Sequence, residues 1–252
     1  MIEPLLLTTA RIATFLGGQS LTGATGFFFE RGQRLFFVTS RHVVVDQPSH
    51  HLPDRVEITL HTSESNLTQV VVQSILLYQD GKSVWRQGRD ASGEIDVAVL
   101  ELDRAALPQD AVLRAFTPEH LLGSLEEAEV GTPLLLVGFP LGFYDTVHHL
   151  PVVRQASIAS AFGLRFQGQG YFLTDARAHR GSSGAPVVMR DPDAPGGLPW
   201  RLLGVHSSRM DMGTRDRNED ESLGLNCAWY ADILLTLTEA RPAAPAAAVP
   251  SP

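Results

Sequence analysis

The chain has 252 residues, 44% apolar and 19% charged, enough to bury a full core as one large domain or two smaller ones. Its formal net charge is −8, from 20 Lys plus Arg against 28 Asp plus Glu with no basic block, so nucleic-acid binding has no source of phosphate attraction. No apolar run approaches membrane-spanning length, and the lone Cys227 leaves neither a disulfide framework nor a zinc spacing.

Residues 1–7 are apolar but short, carry Glu3, and lack the basic leader and cleavage site of a signal peptide. A cytoplasmic setting is expected. His50-His51 and His148-His149 bring histidines together, yet neighbouring strand residues point to opposite faces and do not chelate as a pair. No metal site, cofactor, nucleic acid or membrane partner is expected.

Segments rich in Val, Ile, Phe and Thr recur between glycine and polar turns. Residues 12–16, 26–30, 34–39, 56–61, 67–77 and 95–102 have strand length and β-type composition, with a hairpin turn at 30–33. After Pro108 the character changes: 117–122 reads as one helical turn and 124–129 as an acidic linker. Strands resume at 133–137, 152–161, 171–174, 185–189, 201–206 and 223–229. Residues 229–240 read as the one helix, with Trp229, Ile233, Leu234 and Leu237 near one face. Residues 209–222 read as a long polar loop, and the Pro/Ala tail at 241–252 as disordered. Cys227 falls within a strand and reads as a buried, inert thiol.

Many short strands with one terminal helix indicate an all-β fold of two antiparallel barrels. The expected division is an N-terminal barrel over 1–115, a linker over 116–130, a C-terminal barrel with the helix over 131–240, and the tail.

Three stretches carry chemistry. Residues 181–186, G-S-S-G-A-P, set Ser183 in a tight glycine turn, where a hydroxyl projects and neighbouring N–H groups stay free for a developing negative charge. Residues 37–44, F-V-T-S-R-H-V-V, put His42 at the end of an apolar strand. Residues 93–100, G-E-I-D-V-A-V-L, put Asp96 at the head of another, a costly place for a carboxylate unless it is paired. Together they supply a base, an orienting carboxylate and a nucleophile.

With V-G-F-P-L-G (137–142) and S-I-A-S-A (157–161), these motifs resemble the chymotrypsin-fold serine peptidases, in particular their bacterial HtrA/Deg-like and glutamyl-endopeptidase branches. The resemblance covers roughly residues 8–238 in the family's order. It implies a His42–Asp96–Ser183 triad, an oxyanion hole from the N–H groups of Gly181 and Ser183, and a protein or peptide substrate. It also implies that the strand of Val205, His206 and Ser207, with Arg177 upstream of the nucleophile, lines the substrate pocket. His206 would then favour Glu or Gln before the cut.

Two departures stand out. Ser182 replaces the aspartate that pairs with a new N-terminus in secreted digestive relatives, so such processing is not expected, although an activating partner could order the oxyanion loop. Ala185 replaces a usual glycine. The rival reading is a catalytically silent peptidase-like module that binds a protein through the same cleft. An α/β-hydrolase esterase fails on triad order and on its lack of alternating strands and helices.

Overall fold

A computed structural model describes residues 2–211 and 222–240. The first half contains β1 (Thr9–Leu16), β2 (Gln19–Arg31), β3 (Arg34–Thr39), the helical turn α1 (Arg41–Val44), β4 (Arg55–His61), β5 (Val70–Leu76), the two-residue strands β6 (Tyr78–Gln79) and β7 (Lys82–Ser83), β8 (Trp85–Asp90) and β9 (Gly93–Leu102). The second contains β10 (Pro133–Gly138), β11 (Val152–Ser157), β12 (Tyr171–Thr174), β13 (Pro186–Arg190), β14 (Trp200–Asp211), β15 (Ser222–Tyr230) and the helix α2 (Ile233–Leu237). Each half builds one large antiparallel sheet, in the orders β5-β4-β1-β2-β3-β9-β8 and β11-β10-β13-β14-β15-β12, and β6 and β7 pair as a separate two-stranded sheet.

The central strands are apolar on both faces because both are covered. In β2, Phe27 and Phe29 enter a core shared by the two halves, while Phe28 enters the core of the first. β3 divides the same way, with Phe36 and Val38 on the shared side and Leu35 and Phe37 on the other. From the second half, Val137, Val188, Leu202, Val205 and Trp229 close the shared core, and a third cluster around Phe172, Val187 and Leu203 fills the second sheet's interior. Burying a Phe side chain is worth about 2–3 kcal/mol, so the shared core holds the halves firmly together.

The expected helix over 229–240 is corrected to the five residues of α2. Trp229 and Tyr230 belong to β15, where Trp229 pairs with Tyr171 and with Val205. Their aromatic side chains imitate a helical spacing that the sheet ladder overrides. The short helix is held from outside: Arg31 bonds the Leu235 carbonyl, Arg34 the Thr238 carbonyl at 3.1 Å, and Arg86 the carbonyls of Leu237 and Glu239 at 3.2 and 2.6 Å. Three guanidiniums of the first sheet thus satisfy carbonyls at the helix C-terminus. β14 and β15 also run further into the expected 209–222 loop than their composition suggests. Residues 212–221 and the tail at 241–252 lie outside the described residues. Among the described residues, no helix is long and apolar enough to cross a membrane.

Candidate active site

β3 ends at Thr39 and the chain turns into α1, so His42 stands on a helical turn rather than on a strand. Val43 and Val44 are buried and fix that turn. Ser40 occupies the N-cap, but its hydroxyl donates to the His206 carbonyl at 3.0 Å, tying the start of the turn to β14.

Asp96 on β9 receives three donors: the His42 backbone N–H at 2.8 Å, His42 Nδ1 at 2.7 Å and the Ser207 hydroxyl at 2.5 Å. The carboxylate accepts only, so Nδ1 carries the proton and Nε2 is left as the free base. Burial pulls the His42 pKa down, but the hydrogen bond and charge of Asp96, with Asp46 adding, outweigh it and leave the pKa above its ordinary value.

The nucleophile segment is built from two consecutive turns. Ser182 N–H bonds His179 C=O at 3.1 Å with Gly181 at φ +89°, and Ala185 N–H bonds Ser182 C=O at 2.9 Å with Gly184 at φ +85°. Neither glycine is replaceable without movement: a Cβ on Gly181 would lie 2.5 Å from the Phe139 carbonyl, and one on Gly184 2.2 Å from the Thr25 carbonyl. Leu141 N–H holds the Arg180 carbonyl at 2.5 Å, which turns the Gly181 N–H of the same trans peptide the opposite way. Among the described residues, neither the Gly181 nor the Ser183 N–H has an acceptor. The Ser183 hydroxyl donates to the Ser207 carbonyl at 3.2 Å and makes no hydrogen bond to His42.

This site sits in a chain whose residues 24–194 match the trypsin-like peptidase domain. The chain belongs to that family. It is 25% identical over 199 residues to the mitochondrial serine protease HTRA2 of Drosophila pseudoobscura pseudoobscura and 26% identical to that of Drosophila willistoni, in each case over 79% of this chain. The chain spans 37% of the length of those curated relatives. Among solved structures it is similar to the HtrA-type protease AlgW, a serine-to-alanine variant with a tripeptide, at TM-score 0.56 and 17% identity over 92% of this chain and 58% of that one. A serine endoprotease from Yersinia pestis gives TM-score 0.53 and 14% identity over 92% and 61%. These likenesses bear out the expected all-β, chymotrypsin-like fold.

Within this trypsin-like domain, the expected pocket residues take places that composition did not foretell. β14 carries one extra residue where the register passes from Val188↔Leu202 to Val187↔Gly204, and such a bulge reverses which side chains face which side. Leu202 and Val205 consequently share the inter-sheet core. Val205 is fully buried there, so its side chain offers a substrate nothing and only its main chain is left for that role. Ser207 is also buried, and its hydroxyl serves Asp96 instead of lining a pocket.

His206 is 2% exposed, with Nδ1 unpartnered among the described residues. Burial, with the nearby charge of His42 and against the opposing pull of Asp96, holds its pKa down to about 4, so the resting ring is neutral. Arg177 stands exposed, as does Arg180. Cys227 is buried, and burial raises its pKa as expected of an inert thiol. Thr25, which binds the nucleophile segment from β2, carries no motif signal; only its position before Gly26 in an apolar strand hints at a close approach.

Proposed function

We propose that the chain is a serine endopeptidase in which His42 is the general base, Asp96 its orienting carboxylate and Ser183 the nucleophile. The observation that carries this reading is the 2.7 Å bond from His42 Nδ1 to Asp96, which leaves Nε2 as the free base, together with a nucleophile turn whose Gly181 and Ser183 N–H groups have no acceptor among the described residues. In catalysis Ser183 Oγ exchanges its bond to the Ser207 carbonyl for one to His42 Nε2, a realignment of the kind that resting sites leave to the substrate complex. It then attacks the scissile carbonyl while His42 takes its proton. The N–H groups of Gly181 and Ser183 hold the oxyanion, each worth on the order of 3 kcal/mol of barrier. His42 returns the proton to the leaving amine, and water releases the acyl group by the reverse sequence.

A peptide substrate fits the free edge of β14. Among the described residues, no strand pairs with that side beyond His206, and an extended peptide added there gains main-chain hydrogen bonds. Labelling of Ser183 by a fluorophosphonate and casein cleavage abolished by Ser183→Ala are expected. A folded chain that neither labels nor cleaves is instead the silent binding module.

The finer reading is a preference for Glu or Gln before the cut. It is supported by the unpartnered Nδ1 of His206, a buried polar atom suited to a hydrogen-bonding side chain after local opening. Because the resting ring is neutral, Gln enters without burying a charge, whereas Glu must bring a proton with it. Cleavage after Glu relative to Gln is therefore expected to rise between about pH 8 and pH 6. A peptide-library profile dominated by Arg, Lys or large aromatic residues removes this preference. A cytoplasmic setting belongs to the same proposal, supported by the single buried cysteine and tested by cell fractionation.

A further inference from the structure

Thr25 lies on β2, in the first half of the chain, fully buried and facing the nucleophile segment. Its backbone N–H and its hydroxyl are both spent on the seam, and its carbonyl is held within its own half. Its backbone N–H donates to the Ser183 carbonyl at 3.0 Å, and its hydroxyl donates to the Gly181 carbonyl at 2.7 Å. The same hydroxyl accepts the Phe139 N–H at 3.1 Å, and the Thr25 carbonyl accepts the Thr39 hydroxyl at 2.8 Å. Packing leaves no slack: a Cβ on Gly138 would fall 2.8 Å from the Thr25 hydroxyl oxygen, and one on Gly184 2.2 Å from its carbonyl.

Gly181 and Ser183 are the residues whose N–H groups are read above as the oxyanion donors, and Thr25 holds the carbonyl of each. Fixing those carbonyls limits how far the turn can rotate about its free donors. Phe139 belongs to the turn that holds the Arg180 carbonyl through Leu141, so one hydroxyl is tied to the support of the 180–181 peptide and to the carbonyl of the 181–182 peptide, one on either side of Gly181. We infer that Thr25 is a positioning residue for the oxyanion hole, acting through its hydroxyl on Gly181 and Phe139; this rests on the endopeptidase reading. Removing the hydroxyl while keeping the shape leaves the Gly181 carbonyl and Phe139 N–H buried without that partner. A donor displaced by a fraction of an ångström loses much of its effect on the transition state.

The test compares Thr25→Val, which keeps the volume, with Thr25→Ser, which keeps the hydroxyl, in the full chain with a fluorogenic peptide that the parent cleaves. Thr25→Val is expected to lower kcat by about 10- to 100-fold with KM within about twofold, and to weaken a peptide boronate inhibitor by the same factor. Thr25→Ser is expected to stay within about threefold of the parent on both measures. A folded Thr25→Val protein with parental kcat and boronate affinity overturns the inference, whatever its thermal stability. Should the valine form not fold, Thr25→Ala replaces it, and equal kcat for the alanine and serine forms overturns the inference equally. A parent with no Ser183-dependent turnover overturns the peptidase reading itself, which separates the two failures.

Discussion

Asp96→Asn discriminates between a catalytic and a merely structural pairing with His42, because three donors converge on the carboxylate from fixed directions. The His42 backbone N–H at 2.8 Å cannot turn away, so the single oxygen of asparagine must face it. The amide NH2 then lies where Oδ2 was, opposite His42 Nδ1 at about its present 2.7 Å. Two donors cannot share that space, and the imidazole moves its proton from Nδ1 to Nε2. The Ser207 hydroxyl, now 2.5 Å from Oδ2, turns to vacate its donor position, so little stability is lost there. The nitrogen that should accept the Ser183 proton is already protonated.

Wrong-tautomer catalysis in this mechanistic class costs about 10⁴-fold in turnover, or roughly 5 kcal/mol of barrier. The pH profile supplies a second signature. In the parent, Asp96 more than offsets the burial that lowers the His42 pKa, so activity rises with pH through a value above 6.5. Without the carboxylate charge, burial prevails and that acid limb moves to lower pH. The assay is kcat/KM for a fluorogenic peptide over a pH series, with near-ultraviolet circular dichroism to verify the fold. Turnover within tenfold of the parent, or an acid limb that does not move, refutes the assigned role of Asp96.

Gly181→Ala places a Cβ 2.5 Å from the Phe139 carbonyl at a φ of +89°, so the turn must shift; a loss in kcat of about 100-fold or more is expected in steady-state kinetics. Arg34→Met removes the guanidinium that bonds Glu101 and the Thr238 carbonyl, and α2 should loosen. Because the Arg34–Glu101 pair is partly exposed, screening leaves about 1 kcal/mol, read as a fall of roughly 2–4 °C in Tm. His206→Asn addresses acid stability. The folded pKa of about 4 lies below the ordinary 6.5, so the unfolded chain takes up this proton first, and stability present above pH 6.5 drains away as pH falls toward 4. The drain amounts to about 3 kcal/mol, and urea titrations across that range should show it in the parent and not in the asparagine form.

Most strands were legible because the halves bury both faces of their central strands, which leaves long apolar runs such as those around Phe27–Phe29 and Leu35–Val38. β8 was not: Trp85–Asp90 contributes Trp85 as its buried apolar anchor and otherwise presents polar residues and Gly88. The three residues proposed as the triad stood out from local motifs, since a glycine-flanked serine turn and a strand-end aspartate announce themselves within a few residues. Which side chains of β14 face which side was less legible. Its assignment depended on which face Val205 and His206 occupy, and one extra residue near Leu203 reverses the pattern without altering composition. Thr25 left only the hint of Gly26 beside it, because its partners Phe139 and Gly181 lie 114 and 156 residues further along the chain.

The seam between the halves divides its work between two kinds of contact. The shared core of Phe27, Phe29, Phe36, Val188 and Leu202 supplies cohesion, but apolar surfaces tolerate small sliding and repacking at modest cost. The proposed proton transfer from Ser183 to His42, with Asp96 orienting the ring, tolerates far less, since hydrogen bonds weaken steeply with misalignment. The directional contacts across the seam lie where that tolerance is tightest: Ser40 to the His206 carbonyl, Thr25 to the carbonyls of Gly181 and Ser183, and Ser207 to Asp96. Each costs desolvation that an apolar pair would not, and each fixes one half's position against the other in a direction dispersion leaves soft. Replacing one of these side chains with a hydrophobic isostere leaves a buried backbone carbonyl or the Asp96 carboxylate short of a donor, at about 1–3 kcal/mol each, and activity should fall further than that loss of stability accounts for, because what they hold is the alignment of the base on one half with the hydroxyl on the other.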